Sequence, residues 1–430
     1  MYKPVFNLFI LINILFTVSC SPVNDYLNKG VITEKESEKV NIDLLATPSI
    51  QEINKEEVMV AKPPIIKNEI SKKIEVILPK YSKTEITKSL INSFELSIYK
   101  KEIKNISLNI NHYNDLNELN EIMLSKTEPG KIFIGTLNSD ATKIVQNYCE
   151  KDIIFFSFAP DKNLAKDCVY LINFFPEDDL TALFNFFPED SKITLLFPEN
   201  YYGYNINNII DSIASESKSI LINRASYKED LTNAREAIKE LGKYELRKYE
   251  LDRQKKILET KNDEDSRKAL KKIKKFETLG DVDFTHIILP DYSIRLLEIA
   301  PLLPFYDVDP DKVQFVGTGV WDDKVFFDEP SLQGAIFSGI EEFNRKDFFD
   351  DYEYIHNEKP LRTATIPYDL TGLISYIIDK KMNTQEVHDF LEKGDVKFDG
   401  IDGKFYFLNK IIFRELDILQ IKDGEAKKLF

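Results

Sequence analysis

Short β-rich runs alternate with longer amphipathic stretches through most of this chain, and this alternation limits the fold more than any other sequence feature. Apolar runs separated by helical stretches are typical of parallel strands covered by helices on both faces. The predicted strands form two sets: Ile74–Leu78, Ile106–Ile110, Ile132–Leu137 and Ile153–Phe158, then Ile193–Phe197, Ile220–Ala225, Phe284–Leu289 and Val313–Gly317. The sequence therefore predicts an α/β protein with two doubly wound parallel-sheet lobes joined by a hinge.

Three segments are expected to pass between the lobes, namely Val169–Pro176, Leu332–Ile340 and the stretch from Phe398 onward. We accordingly assign residues 74–175 and 335–397 to lobe 1, residues 176–334 to lobe 2, and residues 398–430 to a closing segment. Within the closing segment, Lys404–Phe407 and Leu416–Lys422 are expected to pair as a hairpin.

The N-terminus has the features of an export signal. Lys3 precedes an apolar run from Val5 to Phe16, which is too short for a comfortable membrane span. The run leads into Thr17-Val18-Ser19-Cys20, which resembles a lipobox and implies a lipoprotein signal peptide over residues 1–19, with a lipid on Cys20. The alternative is an ordinary cleaved signal with an incidental cysteine. Ser21 resembles the residue that allows transfer of a lipoprotein to the outer membrane, so we expect a periplasmic protein anchored there.

Residues 20–73 are predicted to be a flexible tether. From Leu27 to Lys73 the sequence contains no aromatic residue and mixes charges with prolines, so it offers too little apolar surface to fold alone. The rest of the chain contains most of the apolar residues that a folded body requires.

The formal net charge of the 430 residues is -15, from 72 acidic and 57 basic residues. A general attraction to nucleic acid or to anionic lipid is therefore disfavoured, and contact with the membrane is expected only through the lipid anchor. Small molecules and proteins remain as partners.

Between residues 231 and 281 the chain is rich in lysine and glutamate, with few apolar residues. This pattern predicts one or two solvated helices inserted in lobe 2, partly stabilised by ion pairs four residues apart. The insertion is either a solvated arm or a docking surface for a protein partner.

Catalytic and metal-binding patterns are absent from the sequence. The four histidines are scattered, and Cys149 and Cys168 either form one disulfide or remain two buried thiols. The glycines at 317–319 lack the further glycine and the acidic residue of a dinucleotide site. Pairs of acidic residues, such as Glu177 to Asp179 and Asp322-Asp323, are interpreted as solvated surface carboxylates. We expect a protein that is not an enzyme and has no cofactor or metal.

Several segments carry a resemblance to known binding proteins: IEVILPKY (74–81), IFIGTLNSDA (132–141), IIFFSFAPD (153–161), ITLLFPENYYGYN (193–205), the run from Thr285 to Asp323, and FDGIDGKFYF (398–407). Together they resemble the Leu/Ile/Val-binding group of type I periplasmic binding proteins. They are also similar to the penicillin-binding-protein activator lipoproteins. The resemblance implies a cleft between the lobes that closes around a ligand.

Carried over to this sequence, the resemblance implies a ligand cleft formed by Ser139, Asp140, Ser157, Ala159, Asp161, Tyr202, Asp291, Tyr292 and Trp321. Tyr202 either closes over a ligand or packs at the rim, and Trp321 either caps the cleft or holds its own loop. Asp161 would repel the carboxylate of an amino acid, and Gly319 stands where a glutamate would bind its ammonium group. Asp291 or Asp322 is a possible substitute for that glutamate.

These expectations give two functions. The first is a cell-envelope lipoprotein that binds a penicillin-binding protein, or another envelope protein, and regulates peptidoglycan synthesis. The alternative is a periplasmic solute-binding protein of an ABC importer for amino acids or related small molecules.

Overall fold

The structure is a computed structural model that describes residues 69–80, 84–261, 263–292, 294–393 and 396–429. The predicted signal peptide, Cys20 and nearly all of the predicted tether lie outside these ranges. The body, residues 64–430, forms one compact unit.

The strands of the described residues are β1 (Lys73–Pro79), β2 (Ser107–Tyr113), β3 (Ile132–Gly135), β4 (Ile154–Ser157), β5 (Val169–Leu171), β6 (Lys192–Pro198), β7 (Ile220–Tyr227), β8 (His286–Ile288), β9 (Gln314–Gly317), β10 (Ile336–Gly339), β11 (Phe398–Gly400), β12 (Gly403–Leu408), β13 (Ile411–Arg414), β14 (Asp417–Lys422) and β15 (Glu425–Lys428). The α-helices are α1 (Thr84–Lys100), α2 (Leu116–Lys126), α3 (Ser139–Gln146), α4 (Pro176–Phe186), α5 (Tyr201–Ser215), α6 (Ala234–Leu241), α7 (Tyr244–Thr260), α8 (Glu264–Ile273), α9 (Arg295–Ile299), α10 (Leu302–Phe305), α11 (Lys324–Phe327), α12 (Glu342–His356), α13 (Thr365–Asp379) and α14 (Thr384–Leu391).

The strands form two sheets, so the predicted α/β fold with two wound lobes is confirmed. The sheet of lobe 1 has the order β2-β1-β3-β4-β5-β13-β12-β11, and that of lobe 2 has the order β7-β6-β8-β9-β10-β14-β15. The strands from β2 to β13 and from β7 to β10 run parallel, whereas β11, β12, β14 and β15 add antiparallel pairs at one edge.

The central strands are buried on both faces, which explains their nearly continuous apolar sequences. After Lys73, every residue of β1 is buried, and every residue of β3 and β4 is buried as well. Each lobe has its own apolar core: a large cluster and a small one in lobe 1, and two clusters associated with the sheet of lobe 2. Helices must cover both faces of such sheets, and this requirement sets the alternation seen in the sequence.

Both sheets reverse their strand order next to their first strand, between β1 and β3 in lobe 1 and between β6 and β8 in lobe 2. In open α/β sheets such a switch point leaves a crevice beyond the carboxyl ends of the strands, where ligands bind. At the first switch point the backbones approach closely, because a Cβ on Gly135 would lie 1.9 Å from the carbonyl oxygen of Ile77. Only glycine fits there.

The chain passes between the lobes three times. Residues 172–175 lead from β5 to α4, residues 340–341 lead from β10 to α12, and residues 415–416 lead from β13 to β14. Several short connections of this kind form a hinge that limits the relative motion of the lobes.

The predicted pairing of Lys404–Phe407 with Leu416–Lys422 is wrong. Phe405 and Phe407 lie in β12, which pairs with β13 in lobe 1, whereas β14 pairs with β10 and β15 in lobe 2. The third crossing separates the two segments because β13 also completes the parallel sheet beside β5.

The charged insertion of lobe 2 contains α6, α7 and α8. Helices α7 and α8 pack on each other as a helical hairpin, which we call the arm. No helix among the described residues combines the length and apolar character needed to cross a membrane.

Candidate functional site: the interlobe cleft

The candidate site is the region between the two lobes at their switch points, here called the cleft. In lobe 1, the loop after β3 leads to Ser139 at the start of α3. In lobe 2, the loop after β6 leads to Tyr202, and the loop after β8 contains Asp291 and Tyr292. With Asp140, which follows Ser139 in α3, five of the nine predicted cleft residues therefore follow the strands that flank a switch point.

Ser157 of lobe 1 is fully buried and belongs to a cluster of three hydroxyl groups. Its Oγ lies 2.8 Å from the Oγ1 of Thr142 and 3.1 Å from the Oγ1 of Thr136. It also accepts a hydrogen bond of 3.1 Å from the N–H of the buried Ala159. These groups therefore satisfy one another's hydrogen-bonding capacity inside lobe 1.

The two acidic residues predicted for this side of the cleft make local contacts. Asp140 is exposed and pairs with Lys143 at 3.1 Å within α3. Asp161 accepts a 3.0 Å hydrogen bond from the backbone N–H of Asn163 and begins a short 3₁₀ turn. The side chain of Asp161 is therefore used as a cap.

Two tyrosines lie together at the switch point of lobe 2. The rings of Tyr202 and Tyr292 meet edge to face with their centroids 5.9 Å apart, a favourable arrangement for aromatic pairs. The hydroxyl of Tyr202 lies 2.8 Å from the Oγ1 of Thr318, and burial raises the pKa of this tyrosine. Tyr292 is 54% exposed, so one ring of the pair is open to a ligand.

A close approach explains the Tyr202-Gly203 pair. A Cβ on Gly203 would lie 2.1 Å from the carbonyl oxygen of Pro198, so a larger residue would push α5 away from the end of β6. The glycine therefore fixes the first turn of the helix, from which Tyr202 reaches Thr318.

Asp291 is fully buried, and its carboxylate is already paired. The hydroxyl of Tyr227 donates to it at 2.7 Å, and the guanidinium of Arg295 donates to its two oxygens at 3.2 and 3.3 Å. The pKa of Tyr227 is raised mainly by burial and further by the negative charge of Asp291. This arrangement does not favour Asp291 as the counter-charge of a ligand ammonium group.

Trp321, the only tryptophan of the chain, lies in the core of lobe 2 and not at the cleft surface. Its Nε1 donates to the carbonyl oxygen of Leu289 at 3.1 Å. Its ring covers Gly317 so closely that a Cβ there would lie 2.0 Å from a ring carbon. Trp321 thus holds the loop after β9 against the loop after β8.

Asp179 was missed by the sequence reasoning, which interpreted residues 177–179 as solvated. It lies in the first turn of α4 and accepts hydrogen bonds from the N–H of Gly319 at 3.2 Å and from the Oγ of Ser338 at 2.7 Å. Burial raises its pKa to about 7, outweighing these two hydrogen bonds, which act in the opposite direction. A carboxyl group therefore lies beside Gly319, where the sequence alone showed none.

Asp322 also departs from the expectation of a solvated carboxylate. Although it belongs to lobe 2, it lies 2.6 Å from a guanidinium nitrogen of Arg345 and 3.6 Å from one of Arg362, both of lobe 1. The two arginines also pair with Asp402 of lobe 1, at 3.8 and 2.7 Å respectively. We call these four residues the interlobe ion cluster. Its members share no sequence motif, so only the tertiary structure reveals it.

A second pair of contacts joins the lobes near the first crossing. The amine of Lys162, in the loop after β4, lies 3.5 Å from carboxylate oxygens of both Glu177 and Asp178 at the start of α4. It also lies 4.7 Å from the ring centre of Phe175. The loop that follows β4 is thus fixed to the first turn of lobe 2.

The remaining features of lobe 1 lie apart from these contacts. Cys149 and Cys168 are joined by a disulfide bond. A half-open cavity of about 400 Å³, lined by Lys101, Asp369, Tyr376, Phe390 and Phe398 among others, includes none of the nine predicted cleft residues. Among the described residues, no group of three His, Cys, Asp or Glu side chains is placed to hold a metal ion.

The raised pKa of Asp179 predicts a pH-dependent effect of its replacement. The folded protein holds a proton on this group up to about pH 7, whereas the unfolded chain loses it near the ordinary value of 3.8. The contribution of Asp179 to stability therefore falls as the pH rises between these two values. In Asp179→Asn this loss is absent, so the free energy of unfolding of the variant should gain about 4 kcal/mol on the wild type between pH 4 and pH 8. Urea unfolding across this range measures the difference, and parallel stability curves would contradict the prediction.

Two lobes, three crossings and matching switch points define the type I periplasmic-binding-protein fold, which this chain has. A putative branched-chain amino acid ABC transporter protein from Rhodospirillum rubrum has a similar structure, with a TM-score of 0.63 and 12% identity over 84% of this chain and 100% of that one. A branched-chain amino acid substrate-binding protein from Streptococcus pneumoniae, in complex with isoleucine, matches with a TM-score of 0.51 and 16% identity over 82% and 97% of the two chains.

A solute-binding protein of an ABC transporter from Rhodopseudomonas palustris, in complex with 3,4-dihydroxybenzoic acid, matches with a TM-score of 0.55 and 11% identity over 83% and 96% of the chains. No protein-family model matches this chain, and none of the curated proteins is recognisably similar. The structural matches establish the fold, but identities this low do not indicate which ligand is bound.

Proposed function

We propose that this protein is an exported, non-enzymatic binding protein that takes a small organic molecule between its lobes, as the solute-binding component of an ABC importer does. The observation that carries the proposal is the Tyr202–Tyr292 pair, which presents a half-exposed aromatic ring at the switch point of lobe 2. Small-molecule sites commonly combine aromatic walls with a few placed polar groups.

The carboxyl group of Asp179 lies near this aromatic wall, since the pKa of Tyr202 is raised mainly by burial and further by the charge of Asp179. Tyr202 contacts Thr318, the neighbour of Gly319, and Gly319 in turn donates to Asp179. Among the described residues two donors are bonded to Asp179, so its carboxyl group keeps acceptor capacity for a further hydrogen bond. We therefore expect a ligand with a flat or aliphatic body against the tyrosines and a hydrogen-bond donor for Asp179.

A thermal-shift screen with amino acids and hydroxybenzoic acids tests the proposal, because a ligand that binds only the folded state raises the melting temperature. Tyr292→Ala should weaken the affinity of any hit about tenfold by removing one aromatic contact. Tyr354→Ala is the matched control, since Tyr354 is 89% exposed and lies on α12. Equal affinities of the two variants, or the lack of any hit, would count against a functional cleft.

The second candidate is a regulator of peptidoglycan synthesis that docks on a penicillin-binding protein. The contacts of three predicted cleft residues favour this second candidate. Ser157 and Asp291 are each hydrogen-bonded to neighbours within their own lobe, and Trp321 is buried, so these groups have less capacity left for a ligand. It predicts that the immobilised body enriches a peptidoglycan synthase from solubilised envelopes, and that the thermal-shift screen gives no hit. A ligand bound through Tyr292 without such enrichment would exclude it.

Both candidates include export and a lipid on Cys20, with the body held in the periplasm, at the outer membrane. Support comes from the lipobox-like sequence Thr17 to Cys20 and from Ser21. Metabolic labelling with a radioactive fatty acid should mark the wild-type chain and not Cys20→Ala. Equal labelling of both would contradict lipidation at this cysteine.

A further inference from the structure

We propose that the arm of lobe 2 docks on the surface of an anionic phospholipid bilayer. The proposal starts from charge: residues 244–275 contain twelve basic and seven acidic residues, in a chain whose formal net charge is -15. The basic residues concentrate at one end, where Arg267, Lys268, Lys271, Lys272, Lys274 and Lys275 follow one another without an acidic residue between them.

These six cations form one surface. At 100° per residue, Arg267, Lys268, Lys271 and Lys272 cover about 140° of the circumference of α8, and the last two continue in the turn that follows. All six are exposed. Lys268 pairs with Glu264 at 2.8 Å and Lys274 lies 3.7 Å from Glu259, whereas Lys271, Lys272 and Lys275 form no ion pair with any described residue.

The arm is held firmly at its base, so its basic face has a fixed direction relative to lobe 2. Arg247 of α7 is 7% exposed and donates to the carbonyl oxygen of Gly242 at 2.8 Å, to the hydroxyl of Thr278 at 2.7 Å and to the carbonyl oxygen of Gly280 at 3.1 Å. The N–H of Leu279 also donates to the carbonyl oxygen of Arg247 at 3.1 Å. These bonds tie the end of the hairpin to its beginning.

The composition of the surface favours a bilayer over a folded acidic protein. Five of its six cations are lysines, which act as flexible point charges and lack the fixed fork with which arginine recognises a particular carboxylate. A membrane presents mobile phosphates that such charges attract without a specific geometry. Phe276 follows directly and is 46% exposed, so an aromatic ring is available for the interface.

The acidic remainder of the body limits how the protein can approach. An anionic surface repels most of the molecule and attracts only the arm, so docking should fix the orientation of lobe 2. Nucleic acid is excluded as the partner because the protein is proposed to be exported, and this step rests on the proposed function. The docking itself requires neither the lipid on Cys20 nor a ligand in the cleft.

The experiment is co-sedimentation of the chain from Ser21 onward, which lacks Cys20 and therefore any lipid, with two kinds of vesicle. One is pure phosphatidylcholine and the other contains phosphatidylglycerol at a molar fraction of about one third. We expect binding to the second kind only, and its loss at high salt because surface charges are then screened. Lys271→Gln, Lys272→Gln and Lys275→Gln together should weaken this partitioning roughly 100-fold.

The control replaces three exposed lysines of lobe 1, Lys104, Lys166 and Lys393, by glutamine and changes the net charge equally. Equal losses in the two triple variants, or no preference for anionic vesicles, would overturn the proposal. Binding to poly-glutamate without binding to vesicles would also overturn it and indicate an acidic protein as the partner. Melting temperatures verify that both variants fold, and the ligand screen tests the cleft separately.

Discussion

Replacing Arg345 by methionine is expected to lower the free energy of unfolding by about 3–5 kcal/mol, because Arg362 alone then remains to pair with the two buried carboxylates of the cluster. The Arg345 side chain is 4% exposed, and those of Asp322 and Asp402 are 12% and 3% exposed. Arg345 also donates to the carbonyl oxygen of Ile340 at 2.6 Å, next to the second crossing. The loss should therefore loosen the hinge as well as the ion cluster.

Urea unfolding measures this effect, with Arg253→Met as the control. Arg253 forms an ion pair of 2.6 Å with Glu250 on the arm, but its side chain is 60% exposed, so its removal should cost less than 1 kcal/mol. The double variant Arg345→Met, Asp322→Asn should cost less than the sum of the single changes because the two residues interact. Strict additivity would show that the contact between Asp322 and Arg345 adds little to stability.

Trp321→Ala is the second change with a large expected effect, a loss of about 3–5 kcal/mol. The substitution empties the space over Gly317, and it leaves the carbonyl oxygen of Leu289 without the indole N–H. Both loops then lose the group that holds them together, so we expect the affinity for a cleft ligand to fall along with stability.

The control for Trp321 is Tyr292→Ala, which removes an exposed ring and should change stability by less than 1 kcal/mol. Comparing the two variants distinguishes a structural role of the side chain from direct contact with the ligand. If Trp321→Ala reduced ligand affinity while leaving stability close to that of the wild type, the tryptophan would be a cap of the cleft, contrary to its burial here.

The parallel sheet of each lobe is predictable because parallel strands that are buried on both faces need continuous apolar runs. The buried strands β1, β3, β4 and β6 have this character, and their positions follow from the sequence. The edge strands β2 and β7 are less buried but also lie where strands were predicted, whereas β5 falls in a segment that the sequence assigned to a crossing. The closing segment is harder, since β12, β13 and β14 are similar short strands whose partners depend on where the chain crosses the hinge. The choice of partner is a tertiary property.

The position of the candidate cleft residues in the topology follows from the sequence more readily than their environments do. The topology brings Ser139, Tyr202, Asp291 and Tyr292 to the switch points, as strands ending at one edge require. The environments of Asp179 and Asp322 did not follow, because a run of acidic residues in an acidic chain usually indicates a solvated surface. Only Ser338, Gly319 and Arg345, distant in sequence, make these carboxylates different.

The third crossing has a consequence for biosynthesis. Strand β13 extends one sheet beyond β5, and β14 extends the other beyond β10. A polypeptide emerging N-terminus first thus keeps the margins of both sheets unpaired until β13 and β14 arrive, and unpaired margins invite aggregation. A premature stop codon shortly before residue 411 would damage both halves at once, because it would remove β13 and β14 together.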